Sequence, residues 1–152
     1  GGVLNMLSIK KLFSFFSILI LFFSANLNAG HKMNPNDLEL DIDNAEIVKE
    51  GRGWFAQRCA FCHGGDGIGG KGPCLTCGKF KYSGNTNADI LTTISIGVPK
   101  SRGGSMGAFG TSMSAEAIIA VITFMRSEER RRIASGEIED PYIVQDPMVF
   151  PE

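Results

Sequence analysis

The chain has 152 residues, 43% of them hydrophobic and 20% charged, with 15 Lys+Arg against 16 Asp+Glu and a formal net charge of −1. That length suits one domain rather than two, and so even a charge balance gives no basis for a nucleic-acid binder.

The first informative feature lies near the start. From Met6 the sequence reads Met-Leu-Ser-Ile-Lys-Lys, then Leu12 to Phe23 is apolar apart from Ser14 and Ser17, and small and polar residues follow to Ala29. A positive start, a short apolar core and a small residue for cleavage make the plan of a secretory signal. The core falls short of the ~20 residues of a membrane-spanning helix, so cleavage is expected over anchoring. The expected cut follows Ala29, with Ala25 as the alternative, and residues 1–29 are set apart from the fold as N-terminal extra residues and signal. Without them 13 Lys+Arg stand against 16 Asp+Glu, a net charge of −3. Ala60 to Gly110 runs the other way, at +3, with Lys71, Lys79, Lys81, Lys100 and Arg102 against Asp66 and Asp89. An exported, periplasmic location is oxidising, so the four cysteines are expected to be bonded to each other, a metal or a cofactor.

Residues 30–43 are polar, contain Pro35 and show no period, which reads as a leader into a domain over residues 44–130. From Asn44 the places Ile47, Val48, Gly51, Trp54, Phe55 and Cys59 recur at three and four, one face of a helix with Asp43 and Glu46 as start signals. Gly51 within that face costs roughly 1 kcal/mol of helix propensity against Ala, which predicts a helix crossing there. Gly64 to Gly84 has too many glycines for a regular element and reads as a loop wrapped around something. Thr86 to Asp89 forms a capping box before Ile90, Leu91 and Ile94, with Gly97 and Pro99 as the stop. After a second loop, Lys100 to Gly110, Ser114 caps a helix whose stripe Ile118, Val121, Ile122 and Met125 runs towards Arg126, and Arg130 to Arg132 suit its C-terminus. In the tail, residues 131–152, three prolines forbid a long helix. Its apolar residues, Tyr142 to Phe150, predict packing on the domain itself or in a larger complex.

Cys59-Ala60-Phe61-Cys62-His63 is the sharpest signal, the C-x-x-C-H pattern of covalent haem attachment. Two thiols at this spacing can add to the two vinyl groups along a porphyrin edge, and the adjoining imidazole falls beneath the iron. Cys74-Leu75-Thr76-Cys77 is a second C-x-x-C, so four thiolates holding zinc are an alternative, although the spacing is short and His63 would have no role. A thioredoxin-like site lacks its βαβ setting. For a sixth ligand, Met106 in the glycine-rich loop Gly103 to Gly110 is the first candidate and Met113 the competitor, while Met125 sits on a helix face.

Over roughly Ala45 to Ser127 these residues resemble the class I, single-haem c-type cytochromes. Gly51 and Phe55 lead into the haem motif as in that family. Gly72-Pro73-Cys74-Leu75 is similar to its Gly-Pro-x-Leu loop, Met106-Gly107-Ala108-Phe109 to its Met-Pro-x-Phe loop, and Phe124 to the aromatic of its last helix. The resemblance implies an all-α cytochrome c fold, three main helices and loops around one covalently bound haem c. It also implies that the Pro73 carbonyl accepts from His63, and that His63 and Met106 are the axial ligands. The implied role is that of an electron carrier rather than an enzyme, meeting redox protein partners, acidic ones given the local charge. The rivals are a gas-binding or peroxidase-like haem protein and a cytochrome subunit of a larger, membrane-bound oxidoreductase. Two departures stand out. Gly107 replaces the usual proline, and Cys74 and Cys77 are extra; a disulfide between them is the simple expectation, one of them on the iron the sharper one.

Overall fold

The computed structural model describes residues 37–141. The chain divides into Gly1–Lys32 and Met33–Glu152. The expected signal segment falls in the first unit and, like Met33 and the apolar tail from Tyr142, lies outside the described residues. Four helices are described: α1 (Ala45–Arg58), the single turn α2 (Ala60–His63), α3 (Asn87–Ile96) and α4 (Ala115–Ala134), with a 3-10 turn at Lys100–Arg102. Three main helices and connecting loops are the expected all-α plan.

Asn44 rather than Asp43 caps α1, its side-chain oxygen accepting from the N–H groups of Glu46 and Ile47 at 3.2 and 3.4 Å. Asp43, one residue too early for that task, pairs with Arg130 at 2.7 Å. Thr86 accepts from the Asp89 N–H at 3.1 Å to start α3, and Ser114 from the Ala117 N–H at 3.2 Å to start α4, both as the sequence predicts. Helix α4 passes residue 130 and runs into the segment read as tail. Arg131 and Arg132 stay helical because Glu137 folds back to pair with both, and Gly136, at φ +73°, provides the left-handed turn that ends the helix.

The core forms where α1 crosses α4. Gly51 removes the side chain at the crossing, so the α1 backbone sits directly on the Ala120 carbonyl. One turn on, the rings of Phe55 and Phe124 meet at 5.2 Å between centroids, tilted by 58°. Leu40, Ile90, Met113, Ala117, Ile118, Val121, Ile122 and Met125 are buried with them.

The described part of the leader, residues 37–43, packs on this fold. Leu40 is buried, and Leu38 and Ile42 pack on the core. Asp37 receives the N–H groups of Asn87 and Ala88 at 2.8 and 3.0 Å and so holds the start of α3. Burial opposes the Asp37 charge, but hydrogen bonds from Asn87, Ala88 and Leu38, with Arg126 nearby, hold its carboxyl below the ordinary value. Beneath it lies a polar cluster the apolar stripe does not announce: Arg126, buried, donates to Asn87 at 2.9 Å and to Glu129 at 2.8 Å.

Candidate haem site

The C-x-x-C-H motif sits on a break in the helix. Cys59 ends α1 and starts α2, with its N–H on the Phe55 carbonyl and its own carbonyl accepting from both Cys62 and His63. Gly64, at φ +78°, then turns the chain out. The loop that follows is stitched back to the motif: the Gly69 N–H donates to the His63 carbonyl at 2.7 Å and the Gly72 N–H to that of Cys62 at 2.8 Å. This brings Pro73 to His63. The imidazole Nδ1 lies 2.8 Å from the Pro73 carbonyl oxygen. A carbonyl can only accept, so Nδ1 carries the proton and the lone pair is on Nε2, the arrangement a metal-ligating histidine needs.

Met106 is positioned from the other side. Its backbone pairs with Val98 through two hydrogen bonds, 2.9 and 3.1 Å, a short antiparallel bridge. Gly97, at φ +76°, lets that bridge lie against the end of α3, since a Cβ there would be 2.5 Å from the Met106 carbonyl oxygen. The Phe109 N–H fastens the rest of the loop to the Ile94 carbonyl at 3.1 Å.

Between these walls is a cavity of about 740 Å³, lined by Cys62, His63, Pro73 and Met106 among others. That is within the ~300–1,000 Å³ of ligand sites. Of the candidate ligands, Cys62, His63, Pro73 and Met106 are thus brought together, while Cys59 packs against the core beside them. Burial, and then the neighbouring Cys62, push the Cys59 thiol up to about 11. Met113 and Met125 belong to the core and not to the cavity wall. The sequence reading missed Tyr82, whose hydroxyl donates to the Gly103 carbonyl at 2.7 Å and closes one side of the cavity; a lone tyrosine in a glycine-rich stretch carries no signal. Lys71, Lys81 and Lys100 border the opening, and the Lys71 ammonium lies 4.0 Å from the ring centroid of Phe61, which is 81% exposed.

Cys74 and Cys77 are joined to each other. The simple expectation is met, and with both sulfurs taken, neither four-thiolate zinc nor a cysteine on the iron fits this arrangement. Cys59 and Cys62 remain as free thiols.

The residues present suit haem. The free Cys62 thiol, an Nδ1-protonated histidine and Met106 line the cavity, and the second free thiol, Cys59, precedes them in the same turn of chain, packed against the core. The wall under the imidazole is shaped for it: a Cβ on Gly72 would come within 2.6 Å of the ring.

Comparison with known proteins agrees. The family described as "Cytochrome C oxidase, cbb3-type, subunit III" matches residues 46–125, just over half of the chain. Two subunits named "Cbb3-type cytochrome c oxidase subunit CcoP" are similar, from Azospirillum sp. (strain B510), 42% identical over 66 residues, and from Azospirillum brasilense, 41% identical over 66 residues. Each match covers 43% of this chain and 22% of the relative, so the chain spans only part of those proteins. The solved structure of cytochrome CL from Methylophaga aminisulfidivorans MPT shares the fold, with a TM-score of 0.54 and 23% identity over 68% of this chain and 71% of that one. No described helix is long and apolar enough to cross a membrane. The chain belongs to the family of cbb3-type cytochrome c oxidase subunit III, and is a c-type cytochrome of the class I kind, an electron carrier with one haem c.

Proposed function

We propose that Cys59 and Cys62 hold the haem through thioethers, that His63 and Met106 are its axial ligands, and that the chain works outside the cytoplasm, passing single electrons between redox proteins. When bound, the group supplies an Fe(III)/Fe(II) couple. The observation that carries the reading is the hydrogen bond between His63 Nδ1 and the Pro73 carbonyl at 2.8 Å. It fixes the tautomer, keeps the ring from turning and leaves Nε2 as the basic atom. On the far wall, the Val98–Met106 bridge holds a soft thioether, which favours the reduced state of iron and raises the potential. A group tied at both faces needs little rearrangement on gaining an electron, which suits transfer rather than turnover of a substrate.

The rim supports a docking role. Phe61 offers exposed apolar surface, and Lys71, Lys81 and Lys100 surround the opening with positive charge, which fits an acidic partner surface. Similarity to the two CcoP subunits favours a place in, or next to, a multi-subunit terminal oxidase of a membrane. The experiment is an intact mass with an absorption spectrum, after export in a strain that matures such cytochromes. A mass raised by one haem and a haem absorption band are expected; a colourless product weighing only its amino acids overturns the proposal.

A further inference from the structure

We propose that the Cys74–Cys77 disulfide is a thiol-exchange site, opened and re-formed in the folded molecule by a dithiol protein, with Arg132 as the group that receives the leaving thiolate.

The first observation is where Arg132 goes. From the last turn of α4 its Nη1 reaches both sulfurs, 3.7 Å from Cys74 Sγ and 3.6 Å from Cys77 Sγ. The same nitrogen donates to the carbonyl and the hydroxyl of Thr76, at 3.1 and 3.0 Å, while Nε is held by Glu137 at 3.2 Å. The guanidinium is therefore fixed over the disulfide. A neutral disulfide gains little from a cation, whereas a thiolate gains a charge-assisted hydrogen bond. A cation beside a cysteine is also what makes the thiolate accessible near neutral pH.

The second observation is that the bond adds little to the fold. Loop-closure entropy grows with the length of chain enclosed, and this ring encloses only Leu75 and Thr76, so as a staple it contributes least. The loop is held without it. The Leu75 N–H donates to the Gly67 carbonyl at 2.7 Å, the fully buried Thr76 hydroxyl donates to the Asp66 carbonyl at 3.0 Å, and Arg132 binds the Thr76 carbonyl from the other side. Opening the disulfide leaves those bonds in place. Both cysteines are half-buried, so an attacking sulfur can reach them.

The chemistry balances with a dithiol as the reductant. A thiolate of the donor attacks one sulfur, the Cys74–Cys77 bond breaks as a mixed disulfide forms, and the displaced sulfur leaves as a thiolate towards Arg132. The donor's second thiol then resolves the mixed disulfide. Two electrons and two protons pass to this chain, which ends with two thiols, and the donor ends with one disulfide. The haem assignment is not needed for any of this.

The test equilibrates the folded holoprotein with dithiothreitol at graded ratios of reduced to oxidised form, quenches with an alkylating agent, and reads labels on Cys74 and Cys77 by peptide mass spectrometry. Circular dichroism and the haem absorption are followed in the same samples. Cys74 and Cys77 should become labelled together and reversibly while the circular dichroism stays native and the haem absorption stays that of the folded ferrous protein, the haem being reduced by dithiothreitol at every ratio. Arg132→Gln should need a reductant ratio about tenfold higher for half-reduction, as the loss of one hydrogen bond to a charged group implies, and Arg132→Lys should stay near wild type. Labelling that appears only with unfolding overturns the proposal, and so does an Arg132→Gln protein that titrates like wild type. The wild-type result is decisive by itself if Arg132→Gln does not fold. Labels on Cys59 or Cys62 report separately on the proposed thioethers.

Discussion

Gly51 of α1 and Ala120 of α4 meet backbone to backbone: a Cβ built on Gly51 overlaps the Ala120 carbonyl and comes to 3.0 Å from the Phe124 Cβ. This contact sets how closely the two helices cross, and so holds Phe55 against Phe124 just behind the haem motif. Gly51→Ala gains about 1 kcal/mol of helix propensity. It must also push apart two helices whose obstacle is backbone, and overpacking of that kind costs ~1–3 kcal/mol. With backbone as the obstacle the cost lies at the upper end of that range, so a net loss of up to about 2 kcal/mol is expected, a fall in Tm of several degrees. Gly53, two residues past the crossing and with nothing within 4 Å of a built Cβ, is the control. Gly53→Ala should raise the Tm, and thermal unfolding of the pair reads the opposite signs.

The two proposed axial ligands can be tested one wall at a time. Met106→Ala should abolish the near-infrared methionine-to-iron band of the oxidised protein and open the reduced protein to carbon monoxide. Survival of the band would move the ligand elsewhere. Gly72→Ala acts on the other wall, where the new methyl would press on the His63 ring at 2.6 Å from Cε1 and 2.8 Å from Nδ1. It should lower the yield of haem-loaded protein while the near-infrared band persists in whatever protein is loaded, a pattern separable from that of Met106→Ala.

What was legible in the sequence was what depends on local chemistry. Thr86 and Ser114 cap because a hydroxyl one residue before a helix has N–H groups in reach, and Gly51 marks the crossing because a glycine inside an apolar face has no other use. Cys62, His63, Pro73 and Met106, singled out through the family resemblance, line one cavity. Missing were features that exist only once distant segments meet. Asp37 caps a helix that starts fifty residues later, and Leu38, Leu40 and Ile42 alternate too briefly to stand out from a polar leader. Arg126 stands where the apolar stripe ends and Glu129 beyond it, with nothing to mark either as buried, yet both are, and Arg126 binds Asn85 and Asn87 at the start of α3. Arg132 gave no sign of its reach to the second cysteine pair.

That covered cluster has a large expected penalty. Arg126 and Glu129 form an ion pair with side chains 8% and 1% exposed, and Arg126 also holds Asn87, at the start of α3. Arg126→Ala leaves the Glu129 carboxylate buried and without its partner, for which the expected cost is ~3–5 kcal/mol. Adding Glu129→Gln removes the stranded charge and should recover part of the loss. Urea unfolding of the single and double variants measures both, and equal stabilities for the two would mean that the charge is not what costs.

The docking face makes a kinetic prediction. Lys71, Lys81 and Lys100 border the cavity opening, and exposed charges are screened beyond ~10 Å at 0.1 M salt. Electron exchange with an acidic redox protein should therefore slow steeply as ionic strength rises, by about tenfold or more across the range where steering is lost. Lys71→Glu should flatten the dependence without changing the haem absorption. A stopped-flow salt series decides it, and a rate indifferent to salt would remove the basic rim from the encounter.

Glu137 gives the C-terminal end of α4 a pH dependence with a defined sign. Hydrogen bonds from Arg131, then Ser135, then Arg132 hold its carboxyl at about 2, against an ordinary 4.5. A depressed carboxylate contributes stability that is fully present above 4.5 and is lost as the pH falls through about 2. The group is exposed and salt will weaken the effect, so the expected readout is local. Between pH 5 and pH 2 the amides of residues 131–137 should exchange faster with solvent than those around Ala120, in the buried middle of the same helix. Glu137→Gln should show low protection against exchange at that end already at pH 5, with little further change in protection on acidification. Because Glu137 also holds Arg132 Nε, the same acidification should loosen the guanidinium over Cys74 and Cys77. If the wild type and Glu137→Gln responded alike to pH, the anchoring role of this carboxylate would be excluded.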